Sequence, residues 1–236
     1  MNADGSGQTN LTNLPDYYLG PVWSPDGAKI TYSQNGVLYV MNADGSGKVN
    51  LTNNPTDTWA RHSAWSPDGT KILYTFDGGL YTMNPDGSAQ TFVTSTDDFD
   101  SISMSPDGTK IAGGTSREIW IANADGSNKT QLPGHHPLGY NKNPAFSPDG
   151  AKIAFASSRG GDRDIYIMNL DGTGQTRLTD HGGEEFDPAW TTDGTKITFT
   201  SNRDGNYDIY VMQKEGWGWV KLTDNSGDDL APDWGE

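Results

Sequence analysis

Apolar and polar residues alternate in short runs along the whole chain, as in Ile30 and Tyr32 of "KITYS" or Leu38 and Val40 of "VLYVMN". A period of two is the signature of a strand with one buried face. Nowhere does a 3.6-residue period persist long enough for an amphipathic helix. Between the runs stand two recurring phrases, Ser-Pro-Asp-Gly and Asp-Gly. In both, the Asp side chain can hydrogen-bond its own backbone and the Gly can take the positive φ that a tight hairpin needs. The pattern predicts an all-β protein of short antiparallel strands.

These runs belong to a repeat. "WSPDGAKI" at 23–30 returns as "WSPDGTKI", "MSPDGTKI", "FSPDGAKI" and "WTTDGTKI", and the aspartates of this phrase are Asp26, Asp68, Asp107, Asp149 and Asp193. A second turn follows the first four of these, through Asp44-Gly45, Asp86-Gly87, Asp125-Gly126 and Asp171-Gly172, with Asp4-Gly5 ahead of them all. The unit is about 40 residues, and it reads as four strands, the size of one propeller blade. Such a sheet cannot bury both faces alone, so the units must stack around an axis. Trp23, Trp65, Phe146 and Trp190, with Met104 once, recur at one position of the first strand and are expected to pack between blades.

The run "P-x-W-S-P-D-G-x-K-I" followed by "S-N-R-D-G-x-x-D-I-Y-V-M" resembles the TolB-type β-propeller repeat, best at residues 144–179 and 188–223. The resemblance covers essentially the whole chain, and it implies six blades and a periplasmic or extracellular location. It specifies the fold more than the task, because that repeat serves periplasmic scaffolds, peptidase propeller domains and lyases. The amino-terminal domain of TolB itself has no counterpart here.

One propeller domain is therefore expected over residues 1–236, with repeats at approximately 20–56, 62–95, 101–133, 143–179 and 186–223. "MNADGSGQTNLTN" matches the end of a third strand, its turn and a fourth strand, and "LAPDWGE" matches a first strand. Residues 1–13 and 228–234 thus read as parts of a further blade that joins the two termini and lacks its middle hairpin. We expect a six-bladed geometry with this blade incomplete, the alternative being five blades that close alone. Unpaired edges in an incomplete blade invite self-association. The near-identity of "MNADGSG" at 1–7 and 41–47 also fits a recently amplified or designed array with no specific ligand.

Charge narrows the partners. The formal net charge is −15, which disfavours nucleic acid and anionic membranes and favours a basic partner. Cysteine is absent, so disulfides and thiolate metal sites are excluded. No run of apolar residues is long enough for a membrane span, and no secretory signal precedes Asn2.

Sequence variation between repeats concentrates in the connections from each fourth strand to the next first strand, where loops on a rigid scaffold usually carry binding residues. These connections are acidic, through Asp97, Asp98, Asp100, Glu184, Glu185, Asp187, Asp228 and Asp229, and they carry aromatic residues. Tyr17, Tyr18, Trp59, Arg61, Phe99, Tyr140 and Glu185 are the expected contacts for a protein or peptide on a noncatalytic propeller. The same connections hold all four histidines, His62, His135, His136 and His181. No cofactor is expected, yet these imidazoles could hold a divalent metal, as the resemblance to the TolB-like oligogalacturonate lyases implies; a metal-assisted lyase or hydrolase acting on a saccharide is the rival reading. Calcium on the Asp-Gly turns lacks a suitable ligand spacing. Arg159 with Asp164, and Arg203 with Asp208, are spaced to pair across their hairpins. No Gly-x-Ser-x-Gly elbow, Walker loop or cysteine nucleophile appears.

Overall fold

The computed structural model describes residues 1–12, 18–53, 59–96, 101–115, 117–134 and 139–235, with only the backbone of Tyr18 and Leu19. Among the described residues, twenty strands form five four-stranded antiparallel sheets. Blade 1 comprises β1 (Tyr18–Trp23), β2 (Lys29–Gln34), β3 (Val37–Asn42) and β4 (Val49–Asn50). Blade 2 comprises β5 (Ala60–Trp65), β6 (Ile72–Phe76), β7 (Gly79–Met83) and β8 (Thr91–Ser95), and blade 3 comprises β9 (Ser101–Met104), β10 (Lys110–Gly114), β11 (Ile119–Asn123) and β12 (Thr130–Gln131). Blade 4 comprises β13 (Asn141–Phe146), β14 (Lys152–Ser157), β15 (Asp164–Asn169) and β16 (Thr176–Arg177). Blade 5 comprises β17 (Glu185–Trp190), β18 (Lys196–Ser201), β19 (Asp208–Gln213) and β20 (Val220–Lys221). Among the described residues no helix is long and apolar enough to cross a membrane.

Each turn is built by the residues that announce it. In the first, Ser24 donates its hydroxyl to Asp26 Oδ1 at 2.6 Å, the Ala28 amide donates to the same oxygen at 3.0 Å, and Gly27 takes φ 65°. The set recurs down to Thr191 and Asp193, where these hydrogen bonds lower the Asp193 pKa to about 2. In the second turn the glycine has a further job. A Cβ on Gly87 would lie 2.9 Å from the carbonyl oxygen of Leu51 in the preceding blade, and one on Gly216 would lie 2.7 Å from that of Leu178. The turn is glycine because it seats on its neighbour as well as because its φ is positive.

The core lies between blades. Leu38, Val40 and Leu51 of blade 1 pack with Trp65, Ile72 and Tyr74 of blade 2, and Ala154, Ala156 and Ile165 of blade 4 pack with Trp190, Ile197 and Phe199 of blade 5. Trp65, Phe146 and Trp190 are buried in these seams, as expected of the first-strand aromatic. Trp190 also donates its indole N–H to the Ala145 carbonyl at 3.2 Å.

The number of complete blades is five, the alternative count rather than six. Residues 1–12 and 228–235 join no sheet, for want of the middle hairpin that would link them. They nevertheless lie where a sixth blade would. A Cβ on Gly5 would fall 2.1 Å from the Leu222 carbonyl of blade 5, and Leu11 lies against Gly45 of blade 1. Trp234 packs on Ile209, Val211 and Leu222 and donates its indole N–H to Thr198 at 3.0 Å. Ala231 takes φ 52°, matching Gly20 at 51°, Asn143 at 54° and Asp187 at 51° at the bulges of β1, β13 and β17. The amide of Trp23 closes the ring by donating to Asp233 Oδ2 at 2.8 Å.

Candidate functional site

The first strands surround a central channel, and its described space is about 420 Å³. Three of the bulges and Ala231 precede a proline, so Pro21, Pro144, Pro188 and Pro232 line the channel. Proline has no N–H to leave unpaired, which suits a strand edge that faces an open axis. Polar groups join this ring, among them His62, Asn143, Asp187 and Asp233. Burial pushes the Asp187 carboxyl up to about 6 despite the Arg163 guanidinium and the Ala231 amide, which both favour its charge. Asp233 meets solvent in the channel, yet the protein around it raises it to about 6 as well, against the amides of Trp23 and Trp234.

The rim around one mouth is set by the residues that open each first strand. Trp59, 48% exposed, immediately precedes β5, and the Arg61 guanidinium lies 5.5 Å from its ring. Tyr140, 54% exposed, immediately precedes β13, and the Lys142 ammonium lies 5.8 Å from its ring. In blade 5 the corresponding place carries Glu184, paired with Arg163, whose guanidinium covers Phe186 at 4.6 Å. Phe186 meets Tyr207 edge to face at 5.3 Å. Arg163, Phe186 and Tyr207 escape a reading that searches only for acids and exposed aromatics, because Arg163 reaches from blade 4 to blade 5 and Tyr207 meets Phe186 from a separate connection.

Several expected residues lie elsewhere. Glu185 is not a surface contact: it is 0% exposed, accepts from the Ser201 hydroxyl at 2.7 Å and faces Arg203 at 3.4 Å. The reason is register, since Glu185 is the first residue of β17 and points into the seam where Asn141 points in β13. Burial pushes its carboxyl up to about 7 while Ser201 and Arg203 oppose that shift. The hairpin pairings Arg159–Asp164 and Arg203–Asp208 do not form. Asp164 instead pairs with Arg177 at 2.7 Å and Asp208 with Lys221 at 3.0 Å, each across to the fourth strand of its own blade. Arg159 donates to Asn141 at 3.0 Å, as Arg203 does to Glu185.

Among the described residues, the acids of the rim are engaged within the protein. Asp228 accepts from the Tyr207 amide at 3.1 Å, and Asp229 accepts from Asn225. Tyr17, Phe99, Asp97, Asp98, Asp100, His135 and His136 lie outside the described residues, as does the side chain of Tyr18. His62 lines the channel, whereas His181 stands against Trp219 in a groove between blades 4 and 5. Among the described residues no three of His, Asp and Glu are grouped as metal ligands.

Comparison with known proteins agrees with this architecture. The family model described as the TolB beta propeller domain matches residues 114–235. No curated protein matches the sequence. A putative TolB from Agrobacterium tumefaciens superimposes with a TM-score of 0.76 at 23% identity, covering 90% of this chain and 83% of that one. TolB from Acinetobacter baumannii gives 0.71 at 22% identity over 90% of this chain, which spans 54% of that longer protein. An oligogalacturonate lyase in complex with manganese gives 0.63 at 17% identity, covering 86% and 64%.

Proposed function

The chain belongs to the TolB beta propeller domain family, and on that footing we propose that it is a noncatalytic binding propeller that takes a protein or peptide at the channel mouth. The observation that carries this reading is the pair of exposed aromatics, Trp59 and Tyr140, each opening an innermost strand and each beside a cation. A rigid aromatic ring loses little entropy on contact and supplies most of the energy of a typical interface anchor. Asp187 and Asp233, deeper in the channel, would receive a basic group of the same partner. The net charge of −15 supports such a partner and opposes nucleic acid. A periplasmic or extracellular setting goes with this proposal by family likeness.

The test is selection of short random peptides on the immobilised protein, followed by calorimetric titration of the enriched sequences. Enrichment of basic, apolar peptides that lose binding to a Trp59→Ala, Tyr140→Ala double variant supports the reading. Peptides that bind the double variant equally, or no enrichment at all, overturn it.

A further inference from the structure

Internal repetition provides a control for every position, and blade 5 departs from it at one turn. In blades 1 to 4 the turn between third and fourth strands carries Asp44, Asp86, Asp125 or Asp171, and its carboxylate accepts the amide of Ser46, Ser88, Ser127 or Thr173 at 2.9 Å. Blade 5 reads "KEGWGW" instead, with Glu215 in place of the aspartate and Trp217 in place of the serine. The backbone turn survives, with the Gln213 amide donating to the Trp217 carbonyl at 2.8 Å and Gly216 at φ 90°. The side-chain bond is gone, and in its place an indole is left 62% exposed. Folding gains nothing from that exchange.

Two residues on, Trp219 replaces the glutamine of blades 2 and 4. There Gln90 reaches back to the Leu51 carbonyl at 3.0 Å and Gln175 to the Pro133 carbonyl at 2.6 Å, tying each blade to the one before. Trp219 keeps its indole N–H for Gly216 at 2.9 Å and makes no such tie. Its ring lies 3.5 Å from the Arg203 guanidinium, and His181 meets it edge-on at 4.3 Å. Between Trp219 and the end of the blade 4 fourth strand a groove of about 440 Å³ opens, lined also by Asp180, His181, Arg203 and Gly218.

We propose that this groove is a saccharide site, separate from the channel mouth and independent of the peptide reading. A sugar ring offers an apolar C–H face and a girdle of hydroxyls; the part of the half-buried Trp219 ring that Arg203, His181 and Phe199 leave open offers apolar surface, and Asp180, His181 and Arg203 offer acceptors and donors beside it. Asp180 carries its own counterion, Arg177 at 2.9 Å, and Arg203 lies 3.4 Å from Glu185 and over the Trp219 ring. The groove is lined by charge of both signs with no cluster of either, which suits a neutral sugar. Trp217 lies between Gly216 and Gly218, which line the groove, and its exposed ring would offer a second aromatic surface to a further ring of an oligosaccharide.

The experiment titrates the protein with cellotetraose, maltotetraose and chitotetraose, following tryptophan fluorescence and saturation transfer to the sugar C–H protons. Trp217→Ser and Trp219→Gln restore residues that the other repeats hold at these positions, and the exposed Trp217→Ser in particular leaves the seam intact. At least one oligosaccharide should bind, with affinity reduced about tenfold or more by each variant and unchanged by Trp59→Ala. Absence of binding by all three, or binding that Trp217→Ser and Trp219→Gln leave intact, overturns the proposal.

Discussion

Gly5 sits against the backbone of Leu222, so the first residues of the chain rest on the last complete blade just as each later turn rests on the blade before it. With Leu11 and Trp23 beside Ile30, Tyr32 and Met41, and Trp234 on Ile209 and Val211, the terminal segments cover both blade faces that an absent hairpin would expose. Gly5→Ala puts a methyl group into the Leu222 carbonyl at φ 85°, whereas Gly69→Ala, also at positive φ, meets nothing. The former should cost about 1–3 kcal/mol and the latter about 1 kcal/mol, read from urea unfolding.

The state of association follows from the same relationship. The blade faces that an incomplete blade would leave open are covered from within one chain, so light scattering should find a monomer. Removal of residues 1–12 uncovers the Tyr32 face and should lower the melting temperature and produce concentration-dependent association. A deletion variant that stays monomeric with unchanged stability would contradict this role for the segment.

Trp59 and Trp190 separate surface from seam. Trp59→Ala removes a half-exposed ring and should change stability by about 0.5 kcal/mol or less. Trp190→Ala empties a place in the seam of blades 4 and 5, leaves the Ala145 carbonyl without its donor, and should cost about 3–5 kcal/mol. Similar losses in calorimetry would contradict the division.

The blades were legible because their turns are written in residues with one structural use: Ser24, Asp26 and Gly27 form the hairpin that their order announces. The terminal match to a first strand was visible too, since "LAPDW" repeats the proline and tryptophan of "DPAW", but without a middle hairpin to pair with these residues join no sheet. Glu185 was misread because acidity in a variable connection looks like surface, and only strand register tells that it shares a seam position with Asn141. The hairpin arginines were misassigned for a related reason. Sequence proximity favoured Asp164 for Arg159, but strand pairing, which sets Arg177 opposite Tyr166 and Asn141 opposite Ser157, brings Arg177 to Asp164 and Asn141 to Arg159. The unusual turn of blade 5 stood in the sequence as two tryptophans, each following a glycine, and its meaning emerged from the four other turns that lack them.

Asp164 and Arg177 should behave as a unit. The carboxylate is fully buried and also accepts from Thr179 at 3.2 Å, so Arg177→Ala strands a charge that burial already disfavours. Removing one partner of such a pair is more damaging than removing both. In a double-mutant cycle, Arg177→Ala should destabilise the parent protein clearly more than it destabilises an Asp164→Asn background. Equal effects would mean that the pair contributes nothing beyond its separate side chains.

Glu185 predicts the shape of the pH profile. Its folded pKa of about 7 lies above the ordinary 4.5, so between those values the native state holds a proton that the unfolded chain has released. Stability must therefore fall as pH rises from about 4.5 to about 7. Asp187 and Asp233, both raised to about 6, act in the same direction. The turn aspartates act oppositely and lower down: hydrogen bonds from Ser24 and its counterparts depress them, so the stability they add is lost as pH drops below about 4. The melting temperature should accordingly peak near pH 4 to 5. Glu185→Gln removes one component of the decline while keeping an acceptor for Ser201 and Arg203, as the Asn141 amide does for Arg159. The variant should match the parent near pH 4.5 and exceed it by about 1–3 kcal/mol at pH 8. Glu185→Lys, by contrast, sets an ammonium beside the Arg203 guanidinium in a buried seam and should be destabilising at every pH. Denaturation of all three proteins across pH 4 to 9 decides the matter: a parallel pair of curves for parent and Glu185→Gln would mean that Glu185 ionises as an ordinary surface carboxylate.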